Sequence, residues 1–259
     1  MIALDKKAYS SPIRFQSPFL KSFFAIATLL CVVIGDSLCF SILVFIIMGG
    51  AALCFSSASF SYYCKLFVMP LPFLLLSIMA IIVSIGKEPL DFLTISVGSA
   101  YLTVGKKELL EGSEIFFKSM ASISCLYFLI LTTPIMDFFE VLRKLKVPEI
   151  MIELMLLIYR FIFVIIENGK AIITAQSCRM GHKNARISVK SMGQMLSVLL
   201  IHSYKRTDML YNAMEARSYT GKMQMLTNLK KASKKQIAFV GITESVLILL
   251  AILFTVRGY

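Results

Sequence analysis

The sequence predicts an all-α polytopic membrane protein with about five transmembrane helices and a cytoplasmic three-helix region. Three observations lead there. Of the 259 residues, 58% are hydrophobic and only 16% are charged, against roughly 25% charged in an ordinary soluble domain. The apolar residues gather into runs long enough to cross a hydrocarbon core of about 30 Å. The positive charge is also segregated: residues 170–236 hold 13 Lys and Arg, while the only acids there are Asp208 and Glu215. A basic stretch on a soluble chain would suggest nucleic acid. Beside membrane spans it reads as a cytoplasmic segment obeying the positive-inside rule. The same balance excludes a soluble enzyme, a disordered chain and a secreted disulfide scaffold.

The N-terminal membrane region is expected over residues 1–136, with four spans. The first 21 residues carry Lys6, Lys7, Arg14 and Lys21 but no apolar core, so no cleavable signal is expected. From Ser22 to Cys64 the only charge is Asp36, and the run is too long for one span. It reads as a hairpin, Ser22–Gly35 and Leu38–Ser57, whose first arm is short for a full crossing. The third run, Leu66–Gly86, is uncharged and carries Pro70 and Pro72, placed in its first turns, where helical N–H groups lack partners anyway. The fourth is Ser119–Met136. Between them, residues 87–118 are mixed in charge, with Gly98, Gly105 and Gly112 and an alternation around Leu93–Val104. That stretch reads as an external loop with a short strand pair.

Residues 137–236 are expected to be cytoplasmic or interfacial, and 237–259 to hold a last span, Ile237–Val256, whose only acid is Glu244. The intramembrane charges Asp36 and Glu244 are both placed near an interface. Parity fixes the rest. With the basic N-terminus inside, four spans return the chain to the cytoplasm near Asp137. A further span at 148–170 would export all 13 basic groups, and Glu149, Glu153, Arg160, Glu167 and Lys170 interrupt it. Each charge at a span centre costs a few kcal/mol on insertion scales. The segment is therefore expected to lie at the interface.

The cytoplasmic part reads as three helices. Asp137–Lys146 sets Phe138, Leu142 and Leu145 on one face and is closed by Pro148. The second runs from Pro148 to about Met180, and the third from Ser188 to Arg217, with Val189, Met192, Leu196 and Leu199 at helical spacing. Met192, Met195, Met209, Met214, Met223 and Met225 read either as filling an apolar interface or, with Ala171, Ala175 and Gly193, as faces that let helices slide and repack. Cys31, Cys39, Cys54, Cys64 and Cys125 sit in or beside apolar runs as small hydrophobes. No CxxC occurs, and His182 and His202 lack ligand-spaced partners, so no bound metal is expected.

The second and third helices end alike. Ala175-Gln176-Ser177-Cys178-Arg179-Met180-Gly181 and Ala213-Met214-Glu215-Ala216-Arg217-Ser218-Tyr219 each set an arginine four residues after an alanine, where a helix stops. On physical grounds two readings stand: cations complementing helix dipoles, or arginines projected toward acidic grooves on a partner, a role suited to a planar guanidinium.

These paired motifs resemble the X-Arg-X motifs of the T component of energy-coupling factor (ECF) transporters. Leu4 to Ser10, Pro18 and Lys21 resemble the N-terminal signature of the cobalt-type (CbiQ-like) T component. Pro70-Leu71-Pro72-Phe73 resembles the start of its third span, and Leu145-Lys146-Val147-Pro148 with Tyr159-Arg160 resembles the start of its second coupling helix. The resemblance covers nearly the whole chain, the second motif through Tyr219 and Gly221 matching best. It implies a non-catalytic scaffold in a bacterial cytoplasmic membrane, N-terminus inside. Its partners would be two ATPase subunits and a substrate-binding membrane subunit (S or M component), with no nucleic acid. ATP would be used by the partners, with no cofactor on this chain.

Carried over, Arg179 and Arg217 are the docking cations, flanked by Cys178, Met180, Ala216 and Ser218. Only Ala216 keeps the common Ala-Arg-Gly form. In the first motif Gly181 falls one residue late, and Ser218 replaces glycine in the second. The implied system takes up cobalt or nickel. The alternative within the class is the T component of a shared vitamin module. A different class, a membrane enzyme acting on lipid phosphates, is disfavoured. The cytoplasmic part has no Asp/His cluster, Gly-rich phosphate loop or Ser/His/Asp arrangement.

Overall fold

The structure, a computed structural model, describes residues 3–35, 37–82, 84–86, 93–97, 100–104, 106–219 and 233–257. The expected turn at Asp36 lies outside the described residues, as do Gly98, Gly105, Gly221, Lys222, Met223, Met225, Lys230 and Lys231. The described residues divide into two compact units. One holds the chain up to Val141 together with the C-terminal helix, and the other runs from Leu142 through residue 219.

The first unit opens with α1 (Ala3–Tyr9), α2 (Pro18–Ile34) and α3 (Leu38–Phe55). α2 starts at Pro18 rather than Ser22, because proline at the first helical position forfeits no intrahelical bond. Its 17 residues rise about 26 Å, the short arm expected. The third predicted span is instead two helices, α4 (Phe60–Val68) and α5 (Leu71–Ile82), inclined at 46°. The placement of Pro70 in a first turn holds only for α5. Helix already begins at Phe60, and Pro70, with no N–H and a ring that crowds the carbonyl of residue i−4, breaks it.

Strands β1 (Ser84–Gly86), β2 (Leu93–Val97) and β3 (Ala100–Val104) form an antiparallel sheet in the order β1-β3-β2. Ile95 pairs with Leu102, and Ser84 with Thr103. The alternating stretch is thus a strand pair, and the tail of the third apolar run adds a third strand. α6 (Lys106–Thr132) is 27 residues long and overturns the loop assignment for 106–118. That stretch is rich in Lys, Glu and Leu, all good helix formers. Its mixed charge argues against burial in lipid and not against a helix. α7 (Ile135–Lys144) and α10 (Lys234–Arg257) complete the unit's helices, though α7 extends past Val141.

α3, α6 and α10 are each long and apolar enough to span a membrane, α4–α5 qualifies as a bent span, and α2 is a shorter apolar helix. The architecture is that of an all-α polytopic membrane protein. Its core is the seam where Phe40, Val44, Met48 and Ala52 of α3 meet Ala121, Cys125, Phe128 and Leu131 of α6, all buried. Tyr63 Oη lies 2.8 Å from Ser124 Oγ, close beside Gly49 of α3. Phe67 meets Phe45, Tyr63 and Tyr127 edge-on, each pair contributing about 0.5–1.5 kcal/mol beyond its buried area.

The N-terminal stretch closes one end of this bundle. Ser11 Oγ donates to Phe55 O at 2.7 Å, Ser57 Oγ to Lys7 O at 3.1 Å, and buried Lys21 Nζ to Thr132 O at 3.0 Å and Ile13 O at 3.3 Å. On α7 the buried residues are Asp137, Phe139 and Val141, and Leu145 is exposed. The predicted apolar face through Phe138, Leu142 and Leu145 is therefore displaced around the helix. Glu244, expected near an interface, instead lies mid-way along α10. It is buried, with Oε1 2.9 Å from Thr28 Oγ1 of α2.

Candidate partner-docking site

The second unit is built on α8 (Glu149–Cys178, 30 residues) and α9 (Ala185–Glu215, 31 residues). They pack antiparallel, as three contacts show. Gly169 faces Leu199, whose Cδ1 would lie 3.7 Å from an added Cβ. Gln176 Nε2 donates to Ser191 O at 2.8 Å, and Ser191 Oγ donates to Gly181 O at 2.8 Å. At the far end Tyr219 Oη donates to Glu153 Oε2 at 2.5 Å, in the range of a charge-assisted bond. The hydrogen bond to Glu153 pushes the Tyr219 phenol above its ordinary value. At 1.5 Å per residue, α9 separates the two ends by about 46 Å.

Both arginines sit in the same local structure. After α8, Gly181 N bonds Gln176 O at 2.8 Å and Met180 N bonds Ser177 O at 3.1 Å. After α9, Tyr219 N bonds Met214 O at 3.1 Å and Ser218 N bonds Glu215 O at 2.9 Å. This nested pair is the Schellman motif, which satisfies terminal carbonyls through one residue in the left-handed conformation. That residue is Met180 (φ 59°) after Arg179 and Ser218 (φ 55°) after Arg217. Each arginine is thus the last residue before a left-handed turn. A third copy ends α7, where Lys146 (φ 60°) is left-handed and Val147 N bonds Leu142 O at 3.2 Å.

Only glycine adopts that conformation without a Cβ penalty. Here Met180 and Ser218 hold the position. Gly181 is required for a different reason: a Cβ there would sit 2.9 Å from Gln176 O and 3.0 Å from Ser191 Oγ.

Cys178, Arg179, Met180, Ala216, Arg217 and Ser218 are all exposed, and neither guanidinium takes a side-chain partner among the described residues. The two triplets are brought to opposite ends of the hairpin and not to one cluster. Ala175 and Gly193 line a cleft beside Arg179, and a Cβ at Gly193 would meet nothing within 4 Å. The small residue at the helix contact is Gly169, which the sequence did not single out. The stripe Val189, Met192 and Leu196 points outward, at 73%, 55% and 59% exposed, while the buried or half-buried side of α9 carries Ser191, Met195 and Leu199. Gln176, Ser191 and Glu153 also escaped the sequence reading, because their roles depend on the hairpin register.

The family of cobalt transport proteins known as CbiQ matches residues 10–227 of this sequence. The chain belongs to the CbiQ family. This CbiQ-family chain is 30% identical over 259 residues to an uncharacterised protein of Methanocaldococcus jannaschii, covering 99% of this chain and 96% of that one. It is 31% identical over 222 residues to a putative fused cobalt transport protein CbiMQ of Methanocorpusculum labreanum, covering 86% of this chain and 37% of the fused one. It is 35% identical over 126 residues to the energy-coupling factor transporter transmembrane protein EcfT of Lactococcus lactis, covering 44% of this chain and 47% of that one. The family and the apolar helices make it a multi-pass membrane component of a transporter.

Proposed function

We propose that this chain is the scaffold and coupling subunit of an ECF-type importer for cobalt or nickel. It docks two cytoplasmic ATPases through Arg179 and Arg217 and transmits their motion to a substrate-binding membrane subunit. The observation that carries the reading is the identity of the two helix ends. Two exposed guanidiniums, without side-chain partners among the described residues, stand before matching left-handed turns at opposite ends of one hairpin. Two equivalent presentations separated by a long helix suit a partner that is itself a pair.

Coupling requires that movement at the docked ends reach the rest of the hairpin without loss. The Gln176–Ser191–Gly181 contacts at one end and Tyr219–Glu153 at the other would make α8 and α9 move as one body. The outward apolar stripe of α9, with exposed Ile150, Leu154 and Ile158 on α8, supports contact with lipid or an apolar partner surface. The N-terminus is assigned to the cytoplasm by its lysines. This chain carries no catalytic role and no cofactor of its own, ATP being consumed by the partners. The fused CbiMQ relative supports a cobalt-type partner. The EcfT relative keeps open the shared vitamin module, which the co-purifying membrane subunit would distinguish.

The test is co-purification from the native membrane. The wild type should bring down two ATP-binding subunits and a small polytopic partner. Arg179→Glu with Arg217→Glu should lose the ATPases and keep membrane insertion and helix content. Full ATPase recovery by that double variant would overturn the docking assignment.

A further inference from the structure

The bundle carries a groove that the transport reading does not use. It lies among α2, α3 and α10, with a volume of about 760 Å³. Its body is apolar, walled by Phe24, Ile47, Phe128, Phe239, Val246 and Leu250. Gly50 opens it from α3, since a Cβ at that position would meet nothing within 4 Å. The charged and amide groups of its lining lie where α2 and α10 begin, Gln16 and Ser17 from one side and Lys235 and Gln236 from the other, while Thr243 on the wall is satisfied by carbonyls of its own helix. Lys21 also lines this end but is committed to backbone carbonyls. Lys235 is exposed and without a side-chain partner among the described residues.

We infer that this groove is a binding site for one anionic phospholipid, with an acyl chain along the apolar wall and the headgroup phosphate at Lys235. The chemistry matches at both ends. Apolar walls between spans accept hydrocarbon, and a basic pocket beside the ends of transmembrane helices attracts anionic headgroups. The N-termini of two helices, α2 and α10, add positive potential at the same end. A neutral chain alone would explain the walls but not the charge confined to one end. A soluble anion would explain the charge but not the apolar volume.

Native mass spectrometry of the full chain in detergent tests this, with phosphatidylglycerol or phosphatidylcholine added after delipidation. The wild type should retain one phosphatidylglycerol with at least a tenfold preference over phosphatidylcholine. Lys235→Glu should lose that preference. Gly50→Leu, which fills the groove from a position where the backbone is unobstructed, should lose retention altogether. Circular dichroism of both variants should match the wild type, separating occupancy from folding. Equal retention of the two lipids by the wild type, or retention by Gly50→Leu, would overturn the proposal. So would an assembled transporter complex without lipid from which the isolated chain regains it, since a partner helix would then fill the groove.

Discussion

Tyr219 donates its phenolic proton to Glu153 Oε2 at 2.5 Å, joining the residue after the second arginine motif to the first turns of α8. Arg217 is thereby held by a long-range contact as well as by its helix. Tyr219→Phe removes the tether and leaves the turn. Under the proposed docking, ATPase capture in an Arg179→Ala background would depend on Arg217 alone, so Tyr219→Phe is expected to weaken it several-fold. In an Arg217→Ala background it should have no effect. The phenol favours its protonated, donating form in the folded state, so the tether is present below the ordinary tyrosine range, about pH 10, and is lost as pH rises through the raised folded value. An ultraviolet titration should show Tyr219 ionising late, and Glu153→Gln should bring it back down.

Met180 and Ser218 occupy left-handed backbone at φ 59° and 55°, which costs an L-residue about 1–2 kcal/mol. Met180→Gly and Ser218→Gly should each stabilise the hairpin by about 1 kcal/mol, part of the gain being offset by the greater chain entropy of glycine. Thermal unfolding of the purified protein reads this as a raised midpoint. Gly181→Ala should act in the opposite direction, by about 1–3 kcal/mol, because its methyl would fall 2.9 Å from Gln176 O and break the turn. A neutral Gly181→Ala would mean the turn is not under that constraint.

How much of this was legible in the sequence depends on whether the signal was local. The Ala-x-x-x-Arg pattern marked both arginines and both helix stops, because a helix end is written in a few consecutive residues. The break at Pro70 could be read as a helix start, since proline serves both roles and only the packing of Tyr63 and Phe67 of α4 decides. Charge misled at residues 106–118, where it reports solvent exposure and not backbone conformation. On α9 the spacing of Val189, Met192, Leu196 and Leu199 marked the helix and not its contact face: Leu199 meets Gly169 and Ser191 meets Gln176, while the other three look outward. In a membrane protein an apolar face can look outward, so the stripe marks surface and core alike. Contacts such as Gln176 with Ser191 could not be found without the register.

Asp137, in the first turn of α7, is buried, and its Oδ2 has no hydrogen-bond partner among the described residues. Burial pushes its carboxyl above the ordinary carboxylate range, opposed by the positive charges of Lys21 and Arg14. An acid with a raised folded pKa binds more protons folded than unfolded. Its contribution therefore favours the folded state at low pH, and stability falls as pH climbs through the raised value. Asp137→Asn removes that slope. Relative to the wild type, the variant should gain thermal stability between about pH 4 and neutrality. Parallel midpoints across that range would show that Asp137 titrates normally.

Thr28 and Glu244 form the polar contact between α2 and α10. Thr28 Oγ1 lies 2.9 Å from Glu244 Oε1 and 2.7 Å from Phe24 O, while Glu244 Oε2 has no hydrogen-bond partner among the described residues. A hydroxyl has one proton to give to two acceptors, so a donor at position 244 would complete the set. Glu244→Gln supplies one: its amide donates to Thr28 while Thr28 donates to Phe24. That variant should be as stable as the wild type or more so. Thr28→Val instead strands the carboxyl and should cost about 1 kcal/mol, the scale of interhelical hydrogen bonds in membranes. In the Glu244→Leu background the same Thr28→Val change should cost little, because no buried carboxyl remains to be stranded. Unfolding midpoints in bicelles for the four proteins of that cycle measure the coupling directly, and additive effects would mean that Thr28 and Glu244 are neighbours without being partners.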